Sequence, residues 1–330
     1  EVEVKKKVYL LFSGGLDSII AAKLLKNLGF EVIAVNIVSP FFERDRETVK
    51  KIAEKLGIDV IFIEAGNDYL EMLKNPKYGY GKNINPCIDC KAYMLRKVAE
   101  IADNNIIATG EVLGQRPMSQ RKEAFKLIEK LANLEGKVLR PLSGKLLPPT
   151  IYEKEGLIKR EQLLDLKGRT RKKHEEILKK LNLDISEYPT PAGGCLLTDP
   201  NFSKKVKDLI KHNELNWDNV KLLKVGRHFR INSCKFVLGR NKEENEKLKE
   251  LVKQSDFTLK PISIPGPTGI LRCSKEPSSK ILDLCAGILA RYCSKRKGPV
   301  EVSISKGKST LRTVKAEPVE NTKEFLITSH

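Results

Sequence analysis

The chain of 330 residues has no apolar stretch near the roughly 18–20 residues that a bilayer-spanning helix needs, which excludes that class of membrane protein. No signal-peptide pattern opens it, so a cytoplasmic protein with no membrane partner is expected. It begins at Glu1 rather than Met, which leaves room for residues ahead of it. Long repeats and low-complexity tracts are also lacking. The seven cysteines are an odd number without a secretory signal, which argues against a disulfide framework. Cys234, Cys273, Cys285 and Cys293 lie in apolar or strand-like contexts such as "ILDLCAGILARYC" and read as small core residues.

Positive charge is abundant and unevenly spread. Residues 1–200 carry 34 Lys and Arg against 28 Asp and Glu, while residues 201–330 carry 27 against 14. So basic a second part is the expected footprint of a polyanion, because neutralised phosphates release their condensed counterions. The competing reading is a lysine-rich solvated surface of the kind thermophiles use.

The first part alternates short apolar runs with amphipathic ones. "KVYLLFS", "FEVIAVNIVS", "DVIFIEA" and "NIIATGEVL" read as strands. "SIIAAKLLKNLG", "ERDRETVKKIAEKLG", "CKAYMLRKVAEIADNN" and "SQRKEAFKLIEKLANLEG" read as helices, several with glycine stops. That alternation implies a doubly wound α/β domain, a parallel sheet covered on both faces, with its ligand at the carboxyl ends of the strands. A loop-rich stretch then leads to helices around residues 159–182. Beyond residue 200 the pattern becomes α+β with mostly antiparallel neighbours, "VKLLKVGRHFRI", "KFVLGR", "FTLKPISI", "GILRC", "PVEVSIS" and "TLRTVKAEP" reading as strands. Two domains are expected, at 1–200 and 201–330.

Ser13-Gly14-Gly15-Leu16-Asp17-Ser18 falls between the first strand and the first helix. Backbone N–H groups and a helix N-terminus would face outward there, an arrangement that binds anions, although the spacing and lysine of the Walker loop are missing. Ser13 and Ser18 offer hydroxyl donors to phosphate, and Asp17 either caps the helix or helps to hold Mg²⁺. The plainer reading is a glycine turn with Ser18 as a cap.

"FSGGLDS" resembles the SGGxDS signature of the PP-loop ATP pyrophosphatases, of adenine-nucleotide alpha-hydrolase-like fold, which adenylate a carbonyl oxygen and release pyrophosphate. "VNIVSPFF", "MLRKVAEIADNNIIATGEVLGQRPMSQ" and "VLRPLSGK" are similar to segments of the tRNA 4-thiouridine synthase family, in the same order along residues 8–200. The resemblance implies ATP and Mg²⁺ as cofactors and tRNA as partner. It places ATP against Ser13, Gly14, Gly15, Asp17 and Ser18, against Asn36 and Ile37 at the end of the second strand, and against Gly110 and Gln115 of the "TGE-LGQ" motif. The alternative for Gly110 and Gln115 is a tight turn at a strand end. The residues at hand hold neither the N-terminal RNA-binding portion typical of that family nor its rhodanese-like domain. "VGRHFRI" and "VLGRNKEENEKLKEL" instead resemble the RNA-binding module of the NFACT proteins.

Replacing a uridine carbonyl oxygen by sulfur takes two half-reactions: adenylation makes the oxygen a leaving group, and a sulfur nucleophile then attacks the same carbon. "NPCIDCK" offers Cys87 and Cys90, and "AGGCLLTD" offers Cys195, where the 4-thiouridine synthases place a catalytic persulfide cysteine. The C-x-x-C departs from the best-known members and resembles the three-cysteine pattern of iron–sulfur tRNA thiolases. On that resemblance Cys87, Cys90 and Cys195 hold a [4Fe–4S] cluster whose open iron takes hydrosulfide, with Gly193 and Gly194 letting Cys195 close onto the site. Half a zinc site, persulfide transfer through Cys195 and inert buried cysteines remain as alternatives.

The expected catalytic set is therefore Cys87, Cys90, Cys195 and Asp17, in an ATP-dependent tRNA sulfurtransferase supplied by sulfide or a persulfide carrier. A homodimer is compatible with it. Rival readings are a lysidine-synthetase type of PP-loop ligase and a non-enzymatic RNA-binding factor. His174 in "RTRKKHEEILKK" reads as part of a solvated or tRNA-facing stripe and receives no catalytic role, and the sequence by itself does not show what His212, Trp217 and His228 pair with. Arg116 and Arg121 flank the "GQ-SQ" motif and are candidates for phosphate contact.

Overall fold

The computed structural model describes residues 5–42, 44–169, 171–189 and 194–327. The chain forms two compact units, Glu1–Leu196 and Leu197–His330. Among the described residues no helix is long and apolar enough to cross a membrane.

In the first unit β1 (Lys7–Leu11), β2 (Glu31–Val38), β3 (Asp59–Glu64) and β4 (Ile106–Thr109) make one sheet in the order β3-β2-β1-β4. All three pairings are parallel. β2 is buried along seven of its eight residues, the near-continuous apolar strand that a sheet covered on both faces requires. α1 (Leu16–Asn27) and α2 (Arg46–Leu56) pack with Val8, Leu10, Val32 and Ala34 on one face. α4 (Cys87–Ala102) and α5 (Lys122–Leu131) cover Val35, Ile37 and Ile107 on the other. The doubly wound fold expected from the alternating pattern is thus present. α3 (Asn67–Lys74), unforeseen in the sequence, precedes α4; the short α6 (Ile151–Lys154) and α7 (Arg171–Lys180) follow α5. The chain leaves β1 for β2 and β3 on one side and returns to β4 on the other, so a topological switch point lies at the carboxyl end of β1.

The second unit opens with α8 (Pro200–Lys211) and α9 (Trp217–Leu223). "VKLLK", strand-like in sequence, belongs mostly to α9: the Asn216 side chain accepts the Asn219 N–H at 2.8 Å and starts a helix where apolar content alone suggests a strand. β5 (Arg227–Ile231), β6 (Cys234–Leu238), α10 (Lys242–Leu251), β7 (Phe257–Pro261), β8 (Gly269–Cys273), α11 (Ser279–Arg291), β9 (Val300–Lys306) and β10 (Ser309–Ala316) complete it. The sheet runs β10-β9-β7-β8-β6-β5, antiparallel throughout. One face packs on α11 through Phe229, Phe236, Leu259, Val302 and Ile304.

The cysteine reading needs a correction here. Cys234 and Cys273 stand directly opposite each other on β6 and β8, their Cα atoms 4.1 Å apart, and are joined by a disulfide. Strand register made the pair, and a separation of 39 residues in sequence hides it. Cys285 and Cys293 are free and buried in the same core.

Candidate active site

The Ser13–Ser18 loop sits at the switch point. Gly14 has φ +79°, a left-handed conformation that disfavours any side chain, so the glycine there is a backbone requirement. Gly15 precedes α1 in an extended conformation, and no side chain caps the helix, which leaves its first N–H groups available to an anion. Two hydrogen bonds brace the turn: the Gly15 N–H donates to Ser13 Oγ at 3.2 Å and Ser18 Oγ–H donates to the Gly15 carbonyl at 2.8 Å.

Gly110, just past β4, explains itself by contact. A Cβ built there would lie 2.9 Å from the Ser18 nitrogen and 2.8 Å from its Cα, so only glycine lets β4 approach the start of α1. Asn36 donates from its side chain to the Phe12 carbonyl at 2.9 Å and ties β2 to the entry of the loop. Ile37 puts its side chain into the core. Gln115 lies in the turn after β4, where its N–H meets the Val112 carbonyl and its own carbonyl accepts Arg169 Nε at 2.9 Å. These backbone bonds tie it to that turn.

Two residues without a role in the sequence reading meet the loop. His174 has the sequence context of a solvated stripe, but it is 8% exposed and its Nε2 lies 2.9 Å from Asp17 Oδ1. Their separation of 157 positions left no signal in the chain. Arg44 donates from Nη1 to the Ser13 carbonyl at 3.1 Å. Burial first, and the charge of Arg116 second, lower the pKa of its guanidinium.

The thiols assemble at the start of α4. Cys87 and Cys90 lie in its first turn, and Asp89 between them accepts the Lys77 and Tyr78 N–H groups at 2.7 and 3.0 Å, fastening the preceding loop. Cys195 arrives from far along the chain, where the neighbouring Leu196 N–H donates to the Phe41 carbonyl at 2.9 Å. Gly194 is described; Gly193, the other glycine expected to let Cys195 move, lies outside the described residues. Tyr69, fully buried on α3, donates its O–H to Cys90 Sγ at 3.4 Å. Cys87, Cys90 and Cys195 all lie close enough to Tyr69 to raise its pKa, which burial chiefly pushes up.

Burial also drives the Cys90 thiol up to about 12, and the nearby Cys195 and Cys87 push the same way. The Cys87 thiol is raised by burial and eased down by Asn85, Lys91 and Arg116. Arg116 therefore lies near enough to act on both Cys87 and Arg44. None of the three is disulfide-bonded. Three thiolates could hold a [4Fe–4S] cluster, which ordinarily takes four, with one iron left open, and iron would reverse the upward shifts. As placed, no group of three His, Cys, Asp or Glu side chains among the described residues could hold a metal ion.

The loop, switch point and parallel sheet define a PP-loop nucleotide domain. Residues 3–146 match the family model described as thiamine biosynthesis protein (ThiI), and residues 226–325 match that of the NFACT protein RNA binding domain. The chain thus resembles PP-loop tRNA thiolation enzymes in its first unit and the NFACT RNA-binding module in its second. Curated relatives include the tRNA-specific 2-thiouridylase MnmA 1 of Syntrophus aciditrophicus, 28% identical over 61% of this chain and 55% of the relative. The MnmA 2 of Fusobacterium nucleatum is 27% identical over 63% and 59% respectively. The chain spans little more than half the length of these relatives. Among solved structures, a 4-thiouridine synthetase–RNA complex with bound ATP is 21% identical with a TM-score of 0.35, over 66% of this chain and 52% of that one. The U34-tRNA thiolase NcsA of Methanococcus maripaludis with its [4Fe–4S] cluster is 17% identical with a TM-score of 0.31, over 68% and 73%. Scores that low lend no weight to either likeness.

Proposed function

We propose that this chain is an ATP-dependent tRNA sulfurtransferase. The observation that carries the reading is the match of residues 3–146 to the ThiI family model, supported by the Ser13–Ser18 loop at the switch point and by Cys195 lying near enough to Cys90 to raise its pKa. In the proposed reaction a uridine carbonyl oxygen attacks the α-phosphorus of ATP and pyrophosphate leaves with the electrons of the broken P–O bond. Sulfur then attacks the activated carbon, and AMP departs with the original oxygen. Ser13, Gly14, Gly15 and Ser18 hold phosphate oxygens. Asp17, oriented by His174, organises Mg²⁺. Arg44 and Arg116 offset the charge that develops on pyrophosphate. Asn36, Ile37, Gly110 and Gln115 belong to the nucleotide side of the site. The second unit grips the tRNA, and sulfide or a persulfide carrier supplies the sulfur.

Cys87, Cys90 and Cys195 are assigned to a [4Fe–4S] cluster, which when bound would offer an iron site for hydrosulfide. A second reading is persulfide transfer through Cys195, with another cysteine resolving the disulfide that forms; Cys195 lies near enough to Cys90 to raise its pKa. The decisive assay combines purified chain, ATP, Mg²⁺, sulfide and unmodified tRNA, with pyrophosphate release and mass spectrometry of digested nucleosides. A thionucleoside supports the proposal, and its chromatographic identity assigns the carbon, C2 as in the names of the curated relatives or C4. Lysidine, or RNA binding without pyrophosphate release, refutes it. Anaerobic iron and sulfide quantification separates cluster from persulfide.

A further inference from the structure

The sheet of the second unit is covered unequally. On the face away from α11, the β5–β6–β8 half lies under α8, α9 and α10, through Leu222, Val237, Leu248 and Ile270 and the Arg230–Asp208 ion pair. Among the described residues the β7–β9–β10 half carries no helix on that face. Register sets what it presents: Thr258 stands opposite Ser305 and Lys260 opposite Ser303, with Thr310 and Thr313 continuing the rows on β10. Where the covered half ends, a groove of about 250 Å³ runs beside α10, far more than the ~30 Å³ of one water. Its cations are Lys249, Lys260 and Lys308, and its hydroxyls come from Thr258, Thr268, Ser303 and Ser305. No acidic or aromatic residue is among those lining it. Lys249 also reaches Glu246 on its own helix at 2.8 Å.

We propose that this groove binds the ribose–phosphate backbone of a double-helical RNA stem; the inference rests on the reading of the second unit as RNA-binding. Lysines spaced around a hydroxyl-rich floor match alternating phosphates and 2′-hydroxyls. A floor without aromatic rings offers unpaired bases nothing to stack on, which separates this groove from single-strand platforms. The groove therefore reads A-form shape and sugar rather than sequence.

The test uses the full chain and an unmodified tRNA transcript titrated across salt concentrations. Replacing Lys249, Lys260 and Lys308 together by Gln is expected to weaken binding about tenfold or more near physiological salt. The log–log salt slope should fall by roughly 2–3, since each neutralised phosphate contributes about 0.7–0.9 to it. The control replaces Lys280, Lys295 and Lys297, exposed at and after α11, by Gln and keeps the slope. Unrelated duplex RNA should compete with tRNA, and the corresponding DNA duplex and single-stranded RNA should compete poorly. Ser303→Ala with Ser305→Ala should narrow the preference for RNA over DNA duplex. An unchanged slope in the Lys249/Lys260/Lys308 variant, while wild type binds tRNA, overturns the groove and leaves RNA binding standing. Better competition by single-stranded RNA also overturns it. Failure of the wild type to bind tRNA overturns both readings.

Discussion

Lys235, on β6 between β8 and β5, lies in the covered polar layer of the second unit with 3% of its surface exposed. Its Nζ has no hydrogen-bond partner among the described residues. The nearest carboxylate oxygen, Asp208 Oδ2, is 3.9 Å away and already bound by Arg230 at 2.6 Å. Arg272, opposite Lys235 in register, is committed to Asp256, and Glu214 is taken by Arg230. Burial above all, helped by Arg230 and Lys205 and resisted by Asp208 and Glu214, brings the ammonium from 10.5 down to about 7. An unfolded lysine titrates near 10.4, so between about pH 7 and pH 10.4 the unfolded chain binds the extra proton and stability rises with pH. The penalty is complete below the folded pKa and gone above the unfolded one. A shift of this size corresponds to about 4–5 kcal/mol. Lys235→Met keeps the aliphatic stem and removes the charge, leaving Asp208 paired with Arg230. The variant should be more stable by on the order of 2–4 kcal/mol near pH 6–7, the gain shrinking toward zero as pH approaches 10.4. Trp217, the one tryptophan in the chain, lies in α9 of the same unit, so urea unfolding followed by its fluorescence at a series of pH values measures the effect. A difference that does not change with pH, or a variant less stable at pH 6, refutes the reasoning.

Gly110→Ala should abolish ATP binding while the sheet still folds, because its Cβ would push on the Ser18 backbone; calorimetric titration with ATP checks this, and unaltered affinity rejects the packing argument. Asp17→Ala is expected to lower pyrophosphate release by about 10²–10³ with tRNA affinity retained. His174→Ala, which takes away the 2.9 Å partner of Asp17, should lower it by about 10–100-fold; wild-type rates in both variants would remove them from the site. Single Cys87→Ala, Cys90→Ala and Cys195→Ala variants should lose thionucleoside formation and still bind ATP. Cys285→Ala should stay active at a packing loss of ~1–3 kcal/mol, and equal activity in all four would dissolve the cysteine assignment.

Local pattern was enough for the parallel sheet, the helices on both its faces and the glycine turn of Ser13–Ser18 between β1 and α1. Period, glycine stops and the strand–loop–helix order are all properties of neighbouring residues. The sequence also pointed to Cys87 and Cys90, because a C-x-x-C at the start of a helix is a local spacing. Where neighbours give conflicting signals, local pattern misleads: "VKLLK" has strand-like composition, yet the Asn216 cap makes it helix.

What only the tertiary structure decided is which distant groups meet. His174 on Asp17, Arg44 over Ser13 and Tyr69 on Cys90 are contacts across 157, 31 and 21 residues. The Cys234–Cys273 bond follows from strand register, and the lysine groove from half of one sheet face being left uncovered among the described residues. Each is fixed by the packing of whole elements against one another. A side chain carries its own chemistry in its name, but its partner is chosen by the route the backbone takes between them, and that route is settled by the burial of residues elsewhere in the chain.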